Sequence, residues 1–238
     1  MRGDLTLTLA SAGLVLVLAW VPIASSGTDT HLRPVLENEH VRVHELFASP
    51  GASSPMEVRP PGVRISLSKS RFEVTGEDGT VSIVDYNPGQ IVWVEEPERH
   101  AWTLLAGEAH IFFVDVKSAI ERRPPLPVTL SPNHSTIVDA EQHHLVLDNG
   151  HVRIIDGIAS SGASSAPHTH APSVLVSLAK SRFRVTIADK TRIFDFEPAM
   201  VRWTNHFEHT WDIVSGDARV VMIEIKSAHD DPAFRRRQ

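Results

Sequence analysis

The chain writes one long phrase twice. "ENEHVRVHELFASPGASSPMEVRPPGVRISLSKSRFEVT" begins at Glu37, and "DNGHVRIIDGIASSGASSAPHTHAPSVLVSLAKSRFRVT" begins at Asp148, an ungapped offset of 111. Further on, Trp93 matches Trp203 and His100 matches His209, the latter at an offset of 109, so the second copy is two residues shorter in its loops. An internal repeat limits the fold more than any composition does, because both copies must adopt the same backbone. At roughly 100 residues, each copy has the size of a small domain. Between them lies "ERRPPLPVTLSPNHS", a Pro-rich stretch suited to neither strand nor helix.

Each copy reads as short strands. Val63, Ile65 and Leu67 alternate with Arg64, Ser66 and Ser68, the period of a half-buried strand. "IFFVDVKSA" and "VVMIEIKSA" are β-rich apolar runs that close the copies, and "GEDG" and "NPG" mark turns. No long stretch outside the N-terminal segment has helical period. The expectation is all-β, a sandwich or barrel in each copy. Trp93, Trp203, Trp102 and Trp211 recur in pairs and read as core. His40 and His151 recur too and read as structural residues of the first strands. His143 and His144 alternate in direction and read as surface.

The first residues are of another kind. Arg2 is followed by an uncharged apolar run from Leu5 to Ile23, then by Ala24, Ser25 and Ser26. That is the layout of a secretory signal peptide over residues 1–26, with Gly27 as the new first residue. The alternative is an uncleaved membrane anchor, since ~20 apolar residues cross a bilayer. With cleavage, the expected location is periplasmic or secreted, with no stable membrane span. A net charge of −6 argues against nucleic acid as a partner. The chain has no cysteine, so disulfides and thiolate metal sites are excluded, leaving His, Asp and Glu as the strong metal ligands.

His168 and His170 are the most chemically pointed residues. On a strand, positions i and i+2 share a face about 6.6 Å apart. Pro167 and Pro172 hold the flanking backbone extended. Two imidazoles so placed can share an ion, with a third ligand from elsewhere. His209 opens a strand whose inward face carries Trp211 and Ile213. The segment "TNHFEH" also offers His206, and His209 is chosen because the first copy keeps His100 in its place. His206 and Trp211 are candidates for the wall of a substrate pocket.

Gly162, five residues, then His168-Thr169-His170, with Pro198 and His209 following, resembles the two motifs of the cupin superfamily. The repeat resembles in particular a two-barrel member, a bicupin. The resemblance implies two tandem jelly-roll β-barrels: an N-terminal one over 31–121, a linker over 122–140, a C-terminal one over 141–228, and a tail over 229–238. It implies a mononuclear divalent transition-metal site formed by His168, His170 and His209. Imidazole suits Fe, Zn, Cu or Ni. The family's carboxylate ligand should fall at Val174 or Leu175 and is absent, and the second-motif histidine comes late, eleven residues after Pro198. The first copy has Glu57 for His168 and Arg59 for His170 but keeps His100, so its site is degenerate. Arginine cannot ligate, and Glu57 with Arg59 forms a same-face ion pair with His100 beside it. Two functions stay open: a metal-dependent enzyme of oxygenase type acting on a small molecule, or a non-catalytic module binding a small ligand or metal. Monomer and homodimer both fit.

Overall fold

A computed structural model describes residues 30–124, 129–205 and 208–229. The signal-peptide expectation, His206 and the tail after 229 lie outside the described residues. The N-terminal copy forms nine strands: β1 (Thr30–Glu37), β2 (Val41–Ala48), β3 (Glu57–Arg59), β4 (Gly62–Ser66), β5 (Ser70–Gly76), β6 (Val81–Tyr86), β7 (Ile91–Val94), β8 (Glu98–Gly107) and β9 (Ala109–Val116). The C-terminal copy repeats them one for one: β10 (His143–Asp148), β11 (Val152–Ala159), β12 (His168–Thr169), β13 (Ser173–Ser177), β14 (Ser181–Ile187), β15 (Lys190–Phe196), β16 (Val201–Thr204), β17 (Glu208–Ser215) and β18 (Ala218–Ile225). Helices are short, with α1 (Lys117–Ile120) after β9 and α2 (Ser135–Val138) before β10. Among the described residues no helix is long and apolar enough to cross a membrane.

Each copy is two antiparallel sheets. The first copy orders them β1-β2-β9-β4-β7 and β3-β8-β5-β6, and the second β10-β11-β18-β13-β16 and β12-β17-β14-β15. Strands that are neighbours in space but distant in sequence give the jelly-roll topology. Among the described residues no sheet closes on itself: each copy packs its two sheets face to face, in keeping with the jelly-roll barrel expected from the sequence.

The shared "GASS" phrase has a structural reason. Gly51 and Gly162 both sit at positive φ, 86° and 84°, which glycine adopts without a Cβ penalty. Their amides donate to the carbonyls of Leu104 and Ile213. Ser54 and Ser165 then clip the loop to the next strand, each hydroxyl accepting from the backbone N–H of Trp102 or Trp211. The phrase thus docks the loop on β8 or β17 just before the strand that carries the variable residues.

The largest apolar cluster lies between the copies. Val41, Val43, Ile65, Phe112 and Val114 from the first five-stranded sheet pack with Val152, Ile154, Val174, Val221 and Ile223 from the second, all at most 1% exposed. Separate clusters fill the sandwiches, around Leu104 and Trp102 in the first and around Trp211, Ile213 and Ile155 in the second. At the seam the repeat shows as reciprocal contacts. His40 of the first copy stacks on Trp203 of the second at 5.8 Å, and His151 of the second stacks on Trp93 of the first at 6.4 Å. Trp93 and Trp203 therefore lie at the junction of the copies. Arg219 adds a bond to the Gly89 carbonyl across the same seam.

Candidate metal centre

Between its two sheets the C-terminal sandwich collects buried histidines. β12 pairs with β17 so that His168 stands directly opposite His209. His168 lies 4.9 Å from His170 and 4.5 Å from His209 between ring centroids, and His170 lies 5.4 Å from His209. The structure therefore brings the three expected rings together. It adds a fourth that the sequence reading placed on the surface. His143 is only 4% exposed and sits 4.8 Å from His168 and 5.3 Å from His170. That reading fails because His143 is the first residue of β10, where its ring turns into the sandwich, while only His144 faces solvent.

The tautomers favour coordination. Nδ1–H of His168 donates to the Ala166 carbonyl at 2.8 Å, which leaves the lone pair on Nε2. That Nε2 is buried and has no hydrogen-bond partner among the described residues. A bare, buried imidazole nitrogen amid other imidazoles is the donor a metal ion requires. His143 has its Nδ1 occupied by the Asp139 carbonyl at 3.1 Å, with the Asp139 carboxylate at 3.2 Å. One ligand atom from each of His143, His168 and His170 lies within 4.8 Å of the others.

Behind His170 stands a buried carboxylate. Glu224 on β18 is 1% exposed and lies 3.5 Å from His170 Nδ1. It accepts from His134 Nε2 at 2.9 Å, from Arg153 at 3.1 Å and from the Ala171 amide at 3.1 Å. Ser135 also meets His170 Nδ1, at 3.2 Å. His134 caps α2, its Nδ1 accepting from the Thr136 amide. The Pro-rich stretch between the copies therefore does more than connect: it delivers His134 and Ser135 to the rear of His170. Glu224 with His134 and His170 forms a second group that could hold an ion. With Arg153 and two N–H donors already on Glu224, its geometry is that of a support for His170.

The electrostatics keep His143 and His168 neutral. Burial, then the neighbouring His170 and His168, pushes His143 down to about 2. Burial and His170 push His168 down to about 4. Glu224 is held ionised, far below the usual carboxylate range: the bonds from His134 and His170 outweigh its burial. Neutral imidazoles backed by an anion one layer away are matched to a divalent cation.

The rings open onto a cavity of about 620 Å³. Trp211, Phe183, Phe196, Leu175 and Met222 give it apolar walls, and Arg202 stands at the Phe196 ring, 5.6 Å from its centroid. Gly157 also lines it, where the N-terminal copy has Leu46 opposite β1. The positions where a cupin carboxylate would fall are spent on packing, Val174 in the core between the copies and Leu175 in the cavity wall.

The N-terminal copy keeps the frame and changes the chemistry. Glu57 faces His100 across β3 and β8, in the same register as His168 and His209. Arg59 pairs with Glu57 at 2.5 Å and lies over the Phe113 ring at 4.8 Å. Leu32 pairs with Leu46 as His143 pairs with Gly157, so this copy has an aliphatic residue where the fourth histidine stands.

No family model matches the sequence, and no curated protein matches it. Solved structures do match in fold. A cupin 2 conserved barrel domain protein from Leptotrichia buccalis aligns with a TM-score of 0.51 at 10% identity, over 86% of this chain and 92% of that one. The oxalate decarboxylase of Lactobacillus farciminis, in its formate complex, aligns with a TM-score of 0.51 at 12% identity, over 85% and 87%. HEPD from Streptomyces albus, with 2-hydroxyethylphosphonate and Fe(II) bound, aligns with a TM-score of 0.55 at 9% identity, over 88% and 75%.

Proposed function

We propose that this protein of cupin fold is an exported, metal-dependent enzyme whose one metal centre lies in the C-terminal copy, held by His143, His168, His170 and His209. The observation that carries the reading is the buried Nε2 of His168, without a hydrogen-bond partner among the described residues and ringed by other imidazoles. A neutral imidazole set accepts Fe, Zn, Cu or Ni. Such an ion supplies Lewis-acid or oxygen-activating chemistry where it is bound. The chain's own residues do the rest. Asp139, the Ala166 carbonyl and Glu224 orient three of the four rings, those of His143, His168 and His170. The aromatic cavity strips water from an apolar small molecule and holds it against them. Export rests on the apolar N-terminal segment, and N-terminal sequencing of the secreted protein should read Gly27 first.

The test is metal content. The purified protein should carry about one equivalent of a transition metal, and His168→Ala and His170→Ala should each lose it. Equal metal in wild type and both variants would end the proposal. A second reading has one observation in its favour: among the described residues no Asp or Glu lines the cavity, so none of them offers a carboxylate as a general base. The protein would then bind a small ligand or metal without turnover. Oxygen uptake with apolar phenolic or enolisable substrates separates the two readings.

A further inference from the structure

The N-terminal sandwich encloses its own cavity, about 450 Å³, and its chemistry is unlike that of the other copy. Arg59 and Arg64 both line it, with side chains only 12% and 14% exposed. Arg59 spends one N–H on Glu57 and, among the described residues, no other. Arg64 donates to the Tyr86 hydroxyl at 3.3 Å and to Glu98. A guanidinium carries five N–H donors, so both retain unspent donors inside a partly closed space. The carboxylates that balance them are the more exposed partners, Glu57 at 33% and Glu98 at 45%. They can turn to water when another anion enters, while the arginines stay.

Phe72, Trp102, Phe113 and Ile111 give it apolar walls, and Glu98, Arg99 and His100 line its polar side. By the repeat, Arg59 occupies the place of His170 and Arg64 the place of Leu175. One copy thus has two fixed guanidinium cations where the other has metal-competent rings and an aliphatic wall. Paired guanidinium groups beside aromatic faces recognise a planar anion with an apolar body.

We propose that the N-terminal cavity is a binding site for a small organic carboxylate, its carboxylate on Arg59 and Arg64 and its apolar part against Phe72 and Trp102. This does not depend on the metal proposal, because none of the four histidines lines the cavity.

The test is calorimetric titration of the purified protein with benzoate, and with benzamide as the neutral twin. Benzoate should bind and benzamide should not. Arg59→Gln and Arg64→Gln should each weaken benzoate by about tenfold or more, the effect of losing charge-assisted hydrogen bonds. Glu98→Gln should tighten it, since the competing carboxylate is gone, and a gain of affinity cannot come from misfolding. Three results would overturn the proposal: no benzoate binding, equal binding of benzamide, or an affinity unchanged in the Arg59→Gln/Arg64→Gln protein. A benzoate affinity lost in His168→Ala and retained in that double variant would put the carboxylate in the other copy and overturn it as well.

Discussion

His143 and Asp139 form a buried pair, the ring Nδ1 3.2 Å from the carboxylate, across the turn that joins α2 to β10. The Asp139 backbone carbonyl, which accepts from that nitrogen at 3.1 Å, fixes which face of the ring looks into the sandwich, as outer hydrogen-bond partners do for metal-bound histidines generally. His143→Ala should therefore lower metal affinity at least tenfold, while His144→Ala, one residue on and exposed, should leave it unchanged. Competition with a chromophoric chelator measures both. Equal affinities in the two variants would remove His143 from the ligand set.

Glu224→Gln should weaken metal binding by about 10–100-fold through His170, without touching the ion. It should also destabilise the fold, because His134 and Arg153 lose a buried anion. Arg153 keeps Asp148 at 2.8 Å, so the cost should stay near the lower end of a broken buried pair, about 3 kcal/mol. In a chain of this size that lowers Tm by roughly 6–12 °C. A variant with the wild-type Tm and metal affinity would show that this network supports nothing.

Acid should unfold the metal-free protein in two overlapping stages. The ring of His168 binds its proton only near pH 4 when folded, against an ordinary value of 6.5. The unfolded chain binds that proton first, so stability falls as pH drops from about 6.5 toward 4. Glu224 has its folded value depressed, so its contribution is present above 4.5 and is lost as pH falls below that. Urea midpoints across pH 7 to 3 should decline throughout. His143, pushed down to about 2, adds to the same decline below 6.5, so His168→Gln should lessen the upper slope without abolishing it, and an unchanged slope there would show that His168 is not a source.

Ile65→Ala probes the layer between the copies. The residue is fully buried in the shared cluster, and its truncation should cost about 2–5 kcal/mol. Since both copies contribute to that cluster, the variant should unfold in one transition at lower denaturant and not in two. Ile83→Ala, at a position 53% exposed, is the control and should shift the midpoint by less than about 0.5 kcal/mol. Two separate transitions in the wild type would show that the copies fold independently.

The repeat made the two-copy, all-β architecture legible, and His-x-His with His209 marked three of the four clustered rings. The misses have physical causes. His143 corresponds by strand pairing to Leu32, so comparing the copies gives no hint of it. The adjacent His144 also makes the pair look like solvated strand. His134 sits in a Pro-rich stretch whose composition predicts only a connector. Glu224 did leave a signal. It is a lone acid in the apolar run "VVMIEIKSA", matched by Asp115 in "IFFVDVKSA", and a charge kept in a core strand of both copies must have a partner there. In the first copy that partner is His44, 3.6 Å from Asp115.

A symmetric homodimer is obliged to carry two identical sites, because one gene writes both. The layer in which Val41 and Val43 meet Val152 and Ile154 makes a similar contact inside a single chain. Arg59 and His170 hold the same place in its two halves and are free to disagree. A cation fixed in the covalent structure on one side, and rings that could hold an exchangeable one on the other, are a division of labour closed to a symmetric homodimer.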